Sequence, residues 1–133
     1  MVEYTVDLEG LKELAKKLAR KLKGNEVIFL KGDLGAGKTT FTKFLVKALE
    51  PVEDIPVRSP TFAVMNVYPT KKGEVFHLDL YRVKTFDVTD YLDSGILVVE
   101  WPEYLRDVEP DIVVELEHLD ENTRKVRIKG VNL

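Results

Sequence analysis

The chain has no cysteine, which removes disulfides, thiolate metal sites and thiol nucleophiles together. Glutamine is also absent and asparagine occurs only four times, amid abundant Lys and Glu. That composition is of the kind found in proteins that work hot. No run approaches the roughly eighteen consecutive apolar residues of a membrane span. The opening Met1-Val2-Glu3-Tyr4-Thr5-Val6-Asp7 lacks a basic, then apolar, secretory pattern. A soluble cytoplasmic protein with no membrane contact is therefore expected. The two histidines, His77 and His118, are far apart in sequence and form no obvious metal cluster. A basic surplus is missing too: 20 basic against 23 acidic residues give a net charge of −3. Proteins that grip nucleic acid unaided usually carry such a surplus. No stable direct nucleic-acid binding is expected of this chain alone.

What is present is 133 residues, 44% hydrophobic and 32% charged. That is the size of one domain, spanning 1–133, able to bury about two-thirds of its unfolded surface. The chain is organised around Gly32-Asp33-Leu34-Gly35-Ala36-Gly37-Lys38-Thr39, which fits the phosphate-loop pattern G-x-x-x-x-G-K-[ST] at every fixed position. The apolar run Val27-Ile28-Phe29-Leu30 before it reads as a buried strand. The segment from Thr39 to Leu49 reads as an amphipathic helix, with Phe41, Phe44, Leu45, Ala48 and Leu49 on one face. Strand, glycine loop and helix are the three parts of a P-loop. Gly32, Gly35 and Gly37 let the backbone turn sharply and approach a ligand closely. The loop's amide N–H groups then converge on a phosphate chain, and the start of the Thr39 helix adds its positive dipole end. Lys38 reaches the β- and γ-phosphates, and the Thr39 hydroxyl takes one place on Mg²⁺. The pattern predicts binding of a nucleoside triphosphate.

The remaining segments predict a small α/β domain whose sheet is parallel around the P-loop and antiparallel at its hairpins. Tyr4-Thr5-Val6 is a short first strand. A helix from Leu8 to Leu22 follows, with Asp7 as N-cap and Gly24 just past its end. Its apolar stripe is Leu8, Leu11, Leu14, Ala15, Leu18, Ala19 and Leu22. Gly10 in its first turn costs about 1 kcal/mol against alanine, which points to close packing or a ligand. The lysines and arginine between Lys12 and Lys23 read as a solvated face or as an RNA- or partner-binding patch, the first being the commoner case. Ala63 to Tyr68 and Val75 to Tyr81 read as a hairpin turning at Lys71-Lys72-Gly73. Thr85 to Leu92 is expected to form a short helix. Ile96-Leu97-Val98-Val99 is a second buried strand closing on Glu100, and Pro102 suits a helix start. Alternation in Ile112 to Leu116 and in Val126 to Ile128 predicts a last hairpin turning at Asp120-Glu121-Asn122.

A P-loop enzyme needs a further acid at a neighbouring strand end to hold or orient Mg²⁺ and its waters. Asp79 and Glu100 qualify. An apolar strand closing on an acid is the more usual form, so Glu100 is the expected metal-side acid. Asp79 would then polarise the attacking water or support the Mg²⁺ shell. His77 alternates with Asp79 on one strand face and reads as a structural histidine. Arg58, Arg82 and Arg106 are all candidates for stabilising transition-state charge. Arg58-Ser59-Pro60-Thr61-Phe62 reads either as a γ-phosphate-sensing loop or as an ordinary Ser-Pro turn.

Four segments in this order resemble the bacterial TsaE family, also called YjeE. They are Gly32 to Thr40, Ser59-Pro60-Thr61-Phe62, His77-Leu78-Asp79-Leu80-Tyr81-Arg82 and Val99-Glu100-Trp101-Pro102-Glu103. The resemblance runs the length of the chain. It implies a Mg²⁺-dependent P-loop ATPase required for threonylcarbamoyladenosine on tRNA. Such an ATPase acts with a TsaB–TsaD complex and reaches tRNA only through that complex. It further implies that Gly35 to Thr40 hold the phosphates of ATP, that Thr39 and Glu100 bind Mg²⁺, and that Asp79 matters for hydrolysis. Ser59 and Thr61 fall in its switch-like loop, Trp101 stands beside the metal acid, and the adenine side lies near Asp7 and Leu8. Three rivals share the P-loop. A small-molecule kinase would need an acceptor pocket and a lid, for which little chain is left. A GTPase would normally carry Asn-Lys-x-Asp, and no asparagine here is followed by lysine. A nucleotide-gated interaction module with negligible hydrolysis would differ from the ATPase only in rate.

Overall fold

The computed structural model describes residues 2–33, 35–58, 60, 64–83 and 85–133. Nine strands and helices follow in the order β1 (Val2–Val6), α1 (Leu8–Lys21), β2 (Val27–Lys31), α2 (Lys38–Ala48), β3 (Met65–Thr70), β4 (Gly73–Asp79), β5 (Ile96–Glu100), β6 (Ile112–His118) and β7 (Arg124–Lys129). The seven strands form one sheet in the spatial order β1-β7-β6-β2-β5-β4-β3. β2 runs parallel to β5 and β6, and β4 parallel to β5. The β3–β4, β6–β7 and β1–β7 pairs are antiparallel. The sheet is thus mixed in the manner the hairpin and P-loop segments predict.

Alternation along β2 divides the core. Ile28 and Leu30 join the cluster made with α1 and α2, whereas Val27 and Phe29 join Phe76, Leu78, Leu97 and Val99 on the other face. Both helices therefore share one face of the sheet. The other face is covered by irregular chain carrying two single 3-10 turns, Thr89–Tyr91 and Pro102–Tyr104, with Phe86, Tyr91, Leu92, Leu105 and Val108 packed inward.

α1 starts where the sequence places it. The Asp7 carboxylate accepts from the Gly10 amide at 2.8 Å, satisfying a donor that the helix leaves open. Gly10 has a packing reason: a Cβ there would stand 2.8 Å from the Cβ of Val6. The Lys72 amine, in the β3–β4 turn, donates to the carbonyls of Ala19 and Leu22 at 2.8 and 2.9 Å. This places a cation on the negative end of α1. Leu8 departs from the predicted stripe. It is 51% exposed and lines a shallow cleft with Asp7, Glu9, Glu121, Asn122 and Arg124.

The helix expected over Thr85 to Leu92 is reduced to the Thr89–Tyr91 turn. The Asp87 carboxylate accepts from both the Thr89 amide and its hydroxyl, at 3.0 and 2.5 Å, a local bond that competes with helix formation. Tyr91 meanwhile packs its ring 5.0 Å from that of Phe76, so tertiary contact sets this segment.

Candidate functional site

The parallel strands and β1 all point their C-terminal ends to one edge of the sheet, and the glycine loop leaves β2 at that edge. Gly35 and Gly37 have φ of 80° and 105°, in the left-handed region where a side chain is strained. Among the described residues nothing beyond its chain neighbours lies within 4 Å of where a Gly35 Cβ would stand, so its backbone is open to a ligand. Gly37 is the N-cap of α2 and supplies no side-chain hydrogen bond. The first amides of α2, including those of Lys38, Thr39 and Thr40, are left with the helix's positive end at the loop. That is the cradle an anionic phosphate chain requires.

Lys38 is folded against this loop. Its amine donates to the carbonyls of Gly32 and Asp33 and sits 3.8 Å from the ring centroid of Trp101. The residue is only 5% exposed. Burial pulls its pKa down, and the negative charges of Glu100, Asp79, Glu103 and Asp33 pull the other way without cancelling it. Trp101 reaches this position because its backbone turns left-handed, with φ 59° and ψ 52°, directly after β5. Its ring is in turn braced by Tyr81, 4.8 Å away between centroids.

Glu100 closes β5 as the sequence indicates. It is 3% exposed and faces α2, on the same side of the strand as Ile96 and Val98. The Thr39 hydroxyl lies 3.2 and 3.4 Å from its two carboxylate oxygens. Register aligns Asp79 with Glu100 across the β4–β5 pair, so the two acids stand side by side at the loop edge. An Asp79 oxygen accepts from the Tyr81 amide at 2.9 Å. A hydroxyl and a carboxylate beside a phosphate cradle are hard oxygen donors, the set that suits Mg²⁺. No group of three or more His, Cys, Asp or Glu able to cage a metal occurs among the described residues. Mg²⁺, which commonly uses one or two carboxylates plus substrate phosphates, fits this arrangement.

Comparison with known proteins identifies the family. The profile of the family described as "Threonylcarbamoyl adenosine biosynthesis protein TsaE" matches residues 5–127. The chain belongs to the TsaE family. Among its relatives is the protein of Aquifex aeolicus named tRNA threonylcarbamoyladenosine biosynthesis protein TsaE. It is 55% identical over 120 residues, which cover 90% of this chain and 89% of that one. A Rickettsia felis protein of the same name is 39% identical over 124 residues, covering 87% and 72%. The crystal structure of Bacillus subtilis YdiB superposes with a TM-score of 0.75 at 28% identity, covering 94% of this chain and 82% of that one. Membership in TsaE makes this a P-loop NTPase fold.

Within this TsaE chain the structure gathers Gly35, Ala36, Gly37, Lys38, Thr39, Thr40, Asp79, Glu100 and Trp101 at one sheet edge. Ser59 and Thr61 lie outside the described residues. Two further residues stand at the site, one read from the sequence as structural and one that the sequence reading does not single out. His77, read there as structural, is fully buried and bonds the Glu100 carboxylate through Nε2 at 2.5 Å. Arg124 opens β7 and donates from Nε to the Ala36 carbonyl at 3.2 Å, close enough that a Gly37 Cβ would stand 2.8 Å from that nitrogen. The alternation of His77 with Asp79 was a visible signal for the first. For Arg124 only the strand order carries it.

Proposed function

We propose that this TsaE chain binds Mg–ATP at the P-loop and hydrolyses it in support of tRNA threonylcarbamoyladenosine synthesis, working with a TsaB–TsaD complex. The observation that carries the chemical part is the Thr39 hydroxyl on the buried Glu100 carboxylate, with Asp79 aligned beside it. The relatives' names support the pathway.

In this reading Gly35 to Thr40 hold the phosphates, and Lys38 is drawn to the terminal ones by charge. Thr39 and Glu100 hold Mg²⁺, which when bound neutralises phosphate charge. Asp79 orients the attacking water. The water oxygen bonds to the γ-phosphorus, and the bond from that phosphorus to the β–γ bridging oxygen breaks. ADP leaves with the electron pair, and both protons of the water go with the phosphate product, which then releases one to solvent. Ser59 and Thr61 serve as the triphosphate-sensing loop. Contact with tRNA runs through the partner complex, in the cytoplasm where tRNA and ATP meet. The absence of an Asn-Lys pair favours adenine over guanine.

The test uses Glu100→Gln. The variant keeps ATP binding in EDTA and loses Mg²⁺-dependent phosphate release by about a hundredfold or more, the scale of a lost electrostatic contact to a transferring phosphoryl group. Release at the parent rate would move the metal role to Asp79. Competition of GTP against bound ATP at equal potency would overturn the adenine assignment.

A further inference from the structure

Among the charged and polar groups of the core, His77 stands apart. It is 0% exposed, it lies on β4 two residues before Asp79, and its Nε2 is 2.5 Å from Oε2 of Glu100. Its other nitrogen, Nδ1, has no hydrogen-bond partner among the described residues. Most buried side-chain polar atoms find a partner. Here the single bond goes to the acid that the proposed function places on Mg²⁺.

The geometry explains the pairing. Register sets His77 opposite Val98, and Glu100 is two residues further along β5 on the same face. The ring therefore reaches forward along the sheet to the carboxylate. Donation to the Glu100 carboxylate requires the proton on Nε2, and the Tyr68 ring lies 6.3 Å from the imidazole between centroids. Oε2 of Glu100 takes contacts from both His77 and Thr39, so the carboxylate plane is fixed by two elements, β4 and α2. His77 is sealed from solvent, and its bond runs to Glu100.

We infer that His77 is a positioning residue: it locks the Glu100 carboxylate in the orientation that receives Mg²⁺ with the nucleotide. This rests on the reading of Glu100 as the metal-side acid. Partners that orient a metal-ligating group commonly govern affinity by tenfold or more.

The test compares binding of the non-hydrolysable analogue AMP-PNP, with EDTA and with saturating Mg²⁺, by calorimetry on the full chain. The variants are His77→Phe, His77→Gln and Glu100→Gln. His77→Phe keeps the ring but loses the donor, whereas His77→Gln restores an amide N–H. His77→Phe should bind AMP-PNP in EDTA within about twofold of the parent and lose about tenfold of the Mg²⁺ enhancement. His77→Gln should recover most of that enhancement, and Glu100→Gln should lose it. In turnover His77→Phe should raise the Mg²⁺ requirement more than it lowers kcat. Full Mg²⁺ enhancement in His77→Phe, with loss in Glu100→Gln, would overturn the inference alone. Full enhancement in Glu100→Gln would overturn the metal reading beneath it. Equal loss of EDTA binding and melting temperature in both His77 variants would show a merely structural histidine.

Discussion

Lys38 and Trp101 form the most telling residue-scale contact outside the acids. The amine is held by two loop carbonyls and lies over the indole, an attraction between a cation and the negative ring face. A terminal phosphate would draw the same charge toward itself. Trp101 is the single tryptophan, so its emission should shift on titration with ADP or AMP-PNP. A spectrum unmoved by saturating nucleotide would show that Lys38 and Trp101 do not respond to the loop's occupancy. Lys38→Ala should weaken triphosphate binding more than diphosphate binding, because its charge serves the terminal phosphates. Equal losses for the two nucleotides would place that charge elsewhere.

At the scale of elements, two joints of α1 make separate claims. At its start, Gly10→Ala gains about 1 kcal/mol in helix propensity yet drives a Cβ to 2.8 Å from that of Val6. Overpacking of that kind costs about 1–3 kcal/mol, so the variant should melt at a lower temperature; a higher melting point would mean that β1 yields easily. Beyond its end, the Glu26 carboxylate accepts from the amides of Lys23, Gly24 and Asn25 at 2.7, 3.0 and 3.1 Å. Burial pushes that carboxyl up, but the backbone N–H bonds outweigh it and its pKa lies below the ordinary 4.5. A depressed pKa contributes stability that is present above the ordinary value and lost as pH falls through the folded one. Glu26→Gln should therefore be less stable than the parent at pH 7, by about 1 kcal/mol. Denaturant melts should show that gap closing below about pH 4. A gap independent of pH would assign the loss to packing instead of charge.

For the whole molecule, what the sequence revealed and what it hid follow from distance along the chain. The P-loop needs only eight adjacent residues and its flanking strand and helix, so it was legible, as were the hairpins and the acid closing β5. The His77–Glu100 pair spans 23 residues and the Arg124–Ala36 contact 88. Both exist only because β5 lies between β2 and β4, and because β7 returns antiparallel to β6. The Thr85 to Leu92 segment misled because its apolar residues answer to the sheet beneath them, not to helical periodicity. That same strand order brings loop, acids and Trp101 to one edge, where we propose that ATP is turned over for a modification complex. Phosphate release from Mg–ATP, measured on the chain alone and with TsaB–TsaD beside a Lys38→Ala control, tests it most directly. Slow release that rises on adding the complex and vanishes in the control is expected; release indifferent to the complex would cut the link between this ATP site and the modification machinery.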